Sequence, residues 1–437
     1  MRILLLQPPF DVYEPPVTRT ESLGLGYIAA VLRRDGHDVA IIDAQTQCLD
    51  AKAMVREVLS REFDAIGITA SSAYKKMLML VAREVRKHKK GALIFAGGYL
   101  PTLNTEKLLK VCPDIDFLVR GEGEVTASDV LGRISRGEDW HDTPGVAYMK
   151  DGMPVINAPP PLIQDLDSLP FPARDALKQA TLKLPALISG SRGCHHRCSF
   201  CCIHSFYAVS GSRAPRFRSP GNVVDEIESV IASTGITDFV FVDDDFLGPS
   251  EKTHARAVQI ADEIKLRGLK ITFSIECRAD NIDEGMVEIL KSAGLTGILI
   301  GIESGVQRQL DTYNKRITVD QNKQAIEMLQ KSGIRFAAGF IMLDPYVTVD
   351  EVSENMQFMR DMNLSGDQKK TMVQAFTKLK LFEGTPIADK LREDGLVRED
   401  GIDLDYVFQN PQFRTVYKMT QTVGSIKNIF TRKKSEG

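Results

Sequence analysis

No stretch of this 437-residue chain approaches the roughly 18 consecutive apolar residues of a membrane-spanning helix, so no membrane span is expected. Neither sign of charge dominates. Lys and Arg number 55 against 58 Asp and Glu, a net charge of −3, which argues against a nucleic-acid partner held by a large basic field. A secretory leader is not evident: Met1–Pro9 carries one basic residue and a short apolar run that proline ends, and it reads as a buried first strand. Repeats of 20–50 residues are missing. So is a disulfide framework. The seven cysteines, at 48, 112, 194, 198, 201, 202 and 277, are odd in number, and four fall within nine residues. That clustering points to metal ligation in a reducing cytoplasm.

What is present is a globular composition, 43% hydrophobic and 26% charged, on a chain long enough for two or three domains. The fold class is α/β. Over residues 1–140, strand candidates (Ile3–Leu6, Val39–Ile42, Ala65–Thr69, Leu93–Ala96, Phe117–Val119) alternate with amphipathic helices, the pattern of a doubly wound, Rossmann-like parallel sheet. Such sheets bind ligands at the carboxyl ends of their strands. Those ends carry Gln7-Pro8-Pro9, Asp43-Ala44, Thr69-Ala70-Ser71-Ser72, Gly97-Gly98-Tyr99 and Arg120-Gly121-Glu122-Gly123. Residues 141–180, rich in proline, read as a linker. A second β/α series follows over 181–385, with six strands beginning at Ala186–Ser189 and ending at Met372–Lys378. An eight-fold barrel needs about 250 residues, so a partial six-stranded (β/α)6 barrel is expected. The last segment, 386–437, reads as a short helical tail. Its Val416, Met419, Val423, Ile426 and Phe430 lie at helical spacing beside Arg432-Lys433-Lys434. A helix packed on the barrel is favoured there over one lying on a membrane surface.

The strongest motif follows the first barrel strand: Ser189-Gly190-Ser191-Arg192-Gly193-Cys194-His195-His196-Arg197-Cys198-Ser199-Phe200-Cys201-Cys202. Thiolates ligate Fe–S clusters, and three on one loop can hold three irons of a four-iron cube while the fourth iron stays open. Zinc is the competing reading, but it usually takes four protein ligands in two pairs, and no second cysteine pair exists. Cys194, Cys198 and Cys202 form an alternative triplet. The spacing Cys-x3-Cys-x2-Cys with an aromatic before the last cysteine resembles the signature of the radical S-adenosylmethionine (SAM) superfamily. The resemblance implies a [4Fe–4S] cluster on Cys194, Cys198 and Cys201. Its open iron would chelate SAM, one electron would cleave the sulfonium to a 5′-deoxyadenosyl radical, and Phe200 would lie near the adenine.

Further matches span residues 183–397. Val242-Asp243-Asp244-Asp245-Phe246 ends strand two, where the family binds the SAM ammonium; helix N-capping is the alternative for one of these carboxylates. Alternation places Ser274, Glu276 and Arg278 on one face of strand three, resembling the family's ribose and carboxylate contacts, with Arg278 suited to bind a carboxylate bidentately. A structural ion pair at the barrel mouth is the alternative. Gly301-Ile302-Glu303-Ser304-Gly305 resembles the glycine-rich strand end that precedes an acidic residue, and Leu343 would line the adenine or substrate side.

The N-terminal part resembles the cobalamin-binding domain fused ahead of many radical SAM enzymes, through Leu23-Gly24-Leu25-Gly26, Gly36-His37-Asp38-Val39, Gly97-Gly98-Tyr99 and Arg120-Gly121-Glu122-Gly123-Glu124. Gln7, Pro8, Thr69, Ser71, Ser72, Gly97, Gly98, Tyr99, Gly121 and Glu122 are its candidate cobalamin contacts. The Asp-x-His-x-x-Gly signature that supplies a cobalt-binding histidine is absent, and His37 reads as a turn residue. The resemblance implies a cobalamin-dependent C-methyltransferase acting on an unactivated carbon of a small, natural-product-type molecule. Its electron donor would be a flavodoxin or ferredoxin. The alternatives are a radical SAM dehydratase, epimerase or cyclase with a vestigial B12-like domain, and a non-enzymatic metal-binding protein.

Overall fold

The computed structural model describes residues 1–11, 19–211, 214–364, 371–373 and 377–415. Its first sheet is built from β1 (Arg2–Gln7), β2 (Asp38–Asp43), β3 (Ala65–Thr69), β4 (Leu93–Gly97) and β5 (Phe117–Val119), all parallel in the order β2-β1-β3-β4-β5. The connecting helices are α1 (Leu23–Arg34), α2 (Ala51–Ser60), α3 (Lys75–His88), α4 (Tyr99–Leu103), α5 (Thr105–Val111) and α6 (Gly123–Ser135). Alternation along β1 explains the double winding. Leu4 and Leu6 enter one core with Val81 and Leu108, while Ile3 and Leu5 enter the other with Leu32 and Val130.

The segment read as a linker is not all connection. Its β6 (Val146–Lys150) and β7 (Met153–Ile156) extend the first sheet antiparallel from β5. The Asp151-Gly152 turn, both residues at positive φ, makes a hairpin that the proline content obscured. A short α7 (Asp175–Lys178) follows.

The second sheet is six-stranded and parallel. Its strands are β8 (Ala186–Ile188), β11 (Asp238–Phe241), β12 (Thr272–Arg278), β13 (Leu295–Glu303), β14 (Arg335–Phe340) and β15 (Thr371–Val373); a small antiparallel pair, β9 (Ser191–Arg192) and β10 (Arg216–Phe217), lies between β8 and β11 in the chain. Helices α8 (Ile203–Ala208), α9 (Pro220–Thr234), α10 (Glu251–Leu266), α11 (Glu284–Ser292), α12 (Gln307–Thr312), α13 (Val319–Ser332), α14 (Val349–Asp361) and α15 (Pro386–Glu393) follow in chain order. The sequence starts these helices with explicit caps. Ser219 caps α9 with Pro220 in its first turn, and Ser250, Thr318 and Thr348 open capping boxes on α10, α13 and α14. One large apolar core lies between the barrel's outer face and these helices.

The tail departs from expectation. After α15 the chain forms an antiparallel hairpin, β16 (Val397–Asp400) and β17 (Asp403–Tyr406). Ile402 at its turn joins the core of the N-terminal unit. The amphipathic pattern from Val416 onward lies outside the described residues. Among the described residues no helix is long and apolar enough to cross a membrane.

Candidate functional site

The cysteine loop runs from β9 to α8. Its backbone is tied to the segment after α12: Ser199 donates its N–H to the Tyr313 carbonyl (2.8 Å) and its hydroxyl to the Thr312 carbonyl (2.7 Å), and Asn314 Nδ2 donates to the Arg197 carbonyl (2.6 Å). Cys194, Cys198, Cys201 and Cys202 are all half-buried. Burial pushes the Cys194 thiol up to about 12, Cys202 up to about 11 and Cys201 higher still. It raises Cys198 as well, but there Lys315 and Arg278 pull the other way. Arg278 Nη1 lies 3.5 Å from Cys198 Sγ, and the His196 N–H lies 3.5 Å from Cys194 Sγ. Such thiols ionise only beside strong positive charge, which bound iron supplies. Among the described residues no three His, Cys, Asp or Glu side chains close on one point as the ligands of a single ion do. Three thiols spread around a loop suit a cluster, where each binds a different iron.

The barrel's inner face is open where a sheet centre is normally covered. Val242 is 40% exposed and Leu299 42%, although both lie on central strands or their ends. Glycines at 301 and 339 widen the same face: a Cβ at Gly301 would come within 2.8 Å of Glu303 Oε1. Glu276 lies on it, reached by water yet ringed by protein on most sides, and that enclosure together with the negative charges of Asp244 and Glu303 pushes its carboxyl up to about 7. Glu303 sits at φ 60, where the β13–β14 register shifts, and pairs with Lys315 at 2.8 Å. This face has apolar, acidic and basic groups for an amphoteric organic ligand such as SAM.

Between the two units lies a cleft of about 350 Å³. Thr69, Gly97, Gly98, Tyr99, Gly121 and Glu122 line it from the first sheet, and Asp244, Val242, Arg192 and Tyr207 from the barrel side. It deepens past Leu25 and Ile28 to Leu5, Gly67 and Phe95 of the sheet itself. Gly98, at φ 101, begins the turn into α4; a Cβ there would lie 3.0 Å from the Ala70 carbonyl oxygen. The lining contains no histidine. A large, flat, mostly apolar group with a tail fits this shape, and corrin is such a group. The Tyr99 ring packs on Phe206 of α8 at 4.7 Å and stays 38% exposed; enclosure by the cleft walls together with Asp244, Tyr207 and the nearby Cys202 and Cys201 raises its hydroxyl above the usual phenol range.

Several expected ligand contacts are committed elsewhere. Asp243 is fully buried and accepts from the Gly190 N–H (3.0 Å) and the Ser191 hydroxyl (2.5 Å), holding the β8–β9 turn. Asp244, with its carboxyl raised to about 6 by burial, accepts the Gly193 N–H (3.1 Å) and still faces the cleft. Arg278 is buried and bidentate to Asp280 at 2.8 and 3.0 Å. It cannot also hold a SAM carboxylate bidentately without giving up that partner. Leu343 acts through its backbone, which bridges in parallel to Lys378 and accepts the Tyr406 hydroxyl. Phe200 packs edge-on against Tyr313. Ser274 is half-buried beside Gly297. Of the proposed cobalamin contacts, Gln7, Pro8, Ser71 and Ser72 lie outside the cleft lining. Gln7 is buried and Ser71 caps its own turn by accepting the Ala73 N–H. Glu122 lines the cleft but is paired with Arg192 (2.7 Å) and Arg216 (2.8 Å). His37, at the turn after α1, is away from the cleft, as read.

Sequence reasoning missed Lys315, Arg192 and Glu124. Arg192 directly precedes Gly193-Cys194, a signal that could have found it. Lys315 lies in an irregular loop and gave none, apart from Asn314, a residue type that tolerates left-handed backbone.

A barrel with a three-cysteine loop, fused to a sheet whose cleft faces that loop, defines an enzyme that brings two cofactors together. The radical SAM superfamily model matches residues 188–359, and the B12 binding domain model matches residues 15–131. An uncharacterized methyltransferase of Pyrococcus horikoshii is 30% identical over 371 residues, 83% of this chain and 79% of that protein. The anaerobic magnesium-protoporphyrin IX monomethyl ester cyclase of Rubrivivax gelatinosus is 29% identical over 380 residues, 83% of this chain and 66% of the cyclase. The solved structure of the cobalamin-dependent radical enzyme OxsB with aqua-cobalamin and SAM bound superposes with a TM-score of 0.79 at 21% identity, over 96% of this chain and 66% of that one. This chain therefore belongs to the radical SAM superfamily, in the branch that carries a B12-binding domain ahead of the barrel. Its cofactors are a [4Fe–4S] cluster, SAM and cobalamin.

Proposed function

We propose that the protein is a cobalamin-dependent radical SAM C-methyltransferase that acts on an unactivated carbon of a small, natural-product-type molecule. The observation that carries this reading is the single cleft into which both units project, Thr69, Gly97, Gly98 and Tyr99 from one side and Val242 and Asp244 from the other. When bound, the cluster with SAM supplies a carbon-centred radical and the corrin supplies a methyl group.

The chain's own residues bind and orient. Cys194, Cys198 and Cys201 hold the cluster. Cys201 is favoured over Cys202 because its N–H closes a turn onto the Cys198 carbonyl at 3.2 Å, which folds the two back on each other, whereas Cys202 is the N-cap residue of α8. Ser274, Glu276 and Glu303 line the SAM side with Phe200. Lys315, rather than Arg278, is the cation on that face whose partner is itself on the ligand side. Residues 1–156 act as the corrin unit and 181–385 as the radical-generating unit. A low-potential one-electron protein such as a flavodoxin or ferredoxin supplies the electron.

The test is an anaerobic assay of reconstituted protein, with and without hydroxocobalamin, that follows 5′-deoxyadenosine and S-adenosylhomocysteine. Both products should form with cobalamin, and Cys198→Ala should abolish both. The cyclase-named relative favours one second reading, a radical reaction without methyl transfer. 5′-Deoxyadenosine alone, with a product that gains no methyl mass, would decide for it.

A further inference from the structure

The first unit meets the cysteine segment through one block, α4 with α5. Thr102 of α4 donates its hydroxyl to the Gly98 carbonyl at 2.7 Å and accepts the Gly121 N–H at 2.9 Å, so α4 is fixed to two glycine turns that line the cleft. Thr105 of α5 donates to the Pro101 carbonyl at 2.8 Å, which joins the two helices. On the other side, the segment that leads into α15 grips the cysteine segment at two points. The Ile387 N–H is donated to the Ser199 carbonyl at 3.0 Å, and the Ser205 hydroxyl to the Gly384 carbonyl at 2.7 Å. Cys201 and Cys202 lie between those two serines.

Two contacts bring these blocks together. Tyr99 of α4 packs its ring on Phe206 of α8. A single ring contact is a pivot, about which α4 and α5 could still turn. The second contact is ionic and lies on α5. Lys107 Nζ donates to Glu383 Oε2 at 3.1 Å and to Glu399 Oε2 at 3.0 Å. Arg392 Nη2 donates to the other oxygens of the same two carboxylates, at 2.5 and 2.9 Å. Four charges of alternating sign thus close a ring, and every carboxylate oxygen in it is taken. Its side chains are 20–39% exposed. An isolated ion pair this wet contributes little to stability, whereas several charges in one network of fixed geometry hold their members in place. Of the four, Lys107 alone belongs to the first unit.

We propose that Lys107 and Glu383 are a positioning pair that fixes the angle between the corrin unit and the cysteine loop, and with it the alignment of the two cofactors across the cleft. The inference rests on the two-cofactor reading above. Neither side chain lines the cleft. Their effect passes through the turns at Gly98 and Gly121 on one side and the segment from Ser199 to Ser205 on the other. A displacement of about 1 Å between reacting groups costs roughly a hundredfold in rate. A loosened joint therefore shows in the step that needs both cofactors and not in the step that needs one.

The experiment uses the reconstituted holoenzyme loaded with hydroxocobalamin, reduced with titanium(III) citrate and given SAM without substrate. Two products are followed in a single turnover. S-adenosylhomocysteine forms when the sulfonium methyl passes to the reduced corrin, which needs both units in register. 5′-Deoxyadenosine forms when one electron from the cluster breaks the bond from sulfur to the 5′ carbon and the released radical takes a hydrogen atom from the medium, which needs the barrel alone. Lys107→Met should slow S-adenosylhomocysteine formation at least tenfold and leave 5′-deoxyadenosine within twofold of wild type, and Lys107→Arg should stay near wild type. Glu383→Gln should slow the same step, and the double variant should be no slower than the worse single one. Hydrogen exchange of the holoenzyme gives a readout apart from turnover. In Lys107→Met the amides of α4 and of residues 199–206 should exchange faster, and those of α2 should not. The inference is overturned if S-adenosylhomocysteine formation is unmoved in both single variants, if the two products fall together, or if the two single losses multiply in the double variant. If Lys107→Met takes up no cofactor, Glu383→Gln decides alone. A wild-type holoenzyme that forms no S-adenosylhomocysteine from SAM and reduced hydroxocobalamin defeats the functional reading instead, and hydrogen exchange then decides the positioning by itself.

Discussion

Arg278 shows how a correct residue can hold a different post from the one its type suggests. Strand alternation put it on the ligand face with Ser274 and Glu276, yet it is buried and shared among Asp280, the Lys315 carbonyl and Cys198. Its guanidinium orients the loop rather than waiting for a substrate. Glu122 is similar. Its motif suggests a cobalamin contact, and in the structure it is the acceptor for Arg192, Arg216 and the Ile163 N–H. Removing its charge leaves the buried Arg216 without its carboxylate, while Arg192 keeps Glu124, so Glu122→Gln should destabilise the protein by about 3 kcal/mol, read by denaturant unfolding of the cluster-free chain. Glu276 gives a pH prediction. Its carboxyl is raised from 4.5 to about 7 in the folded state, so folding holds a proton that the unfolded chain releases. Its contribution is complete below about pH 4.5 and is lost as the pH rises through about 7. Thermal unfolding of the cluster-free protein from pH 5 to 8.5 should show this decline, and Glu276→Gln should flatten it; an unchanged slope would contradict the assignment.

At the scale of elements, the local chemistry agrees closely with the structure. Helix starts are marked by Ser219, Ser250, Thr318 and Thr348, whose side chains accept the expected N–H groups. Thr318→Ala should cost about 1 kcal/mol, measured as a shift in denaturant midpoint with an unchanged slope. The strand ends carry the site, and glycine decides their shape. A Cβ at Gly67 would lie 2.3 Å from the Phe95 ring at the floor of the cleft. Gly67→Val should therefore push Phe95 into that space and weaken hydroxocobalamin uptake at least tenfold by absorbance titration, while iron content stays at the wild-type level. The elements that could not be read were the ones defined by partners distant in sequence. β6 and β7 are recognisable only as additions to the edge of β5, because their proline-flanked residues look like connection. The β16–β17 hairpin is exposed on most of its length and has weak patterning; what holds it is contact with another unit.

The whole molecule is joined by charge as well as by apolar contact. Glu21 and Glu226 share Arg174, Glu226 also takes Arg218, and all four are buried. Glu122 and Glu124 of the first unit hold Arg192 and Arg216 of the hairpin that leads into the cysteine loop. Lys107 of α5 reaches Glu383 and Glu399 from the far end of the chain. With such ties crossing between them, the two units should unfold in one cooperative thermal transition. Two transitions separated by several degrees in calorimetry would show that the networks do not couple them. The sequence by itself determined the two β/α series, their strand order of appearance, the capped helices and the cysteine loop, because periodicity, caps and ligand spacing are local properties. It also determined the family. Only the tertiary structure decided which carboxylates and guanidiniums are free, because pairing depends on what a distant segment brings within about 3 Å. That is why Asp243, Glu122 and Arg278 changed roles, and why Lys315 came to light.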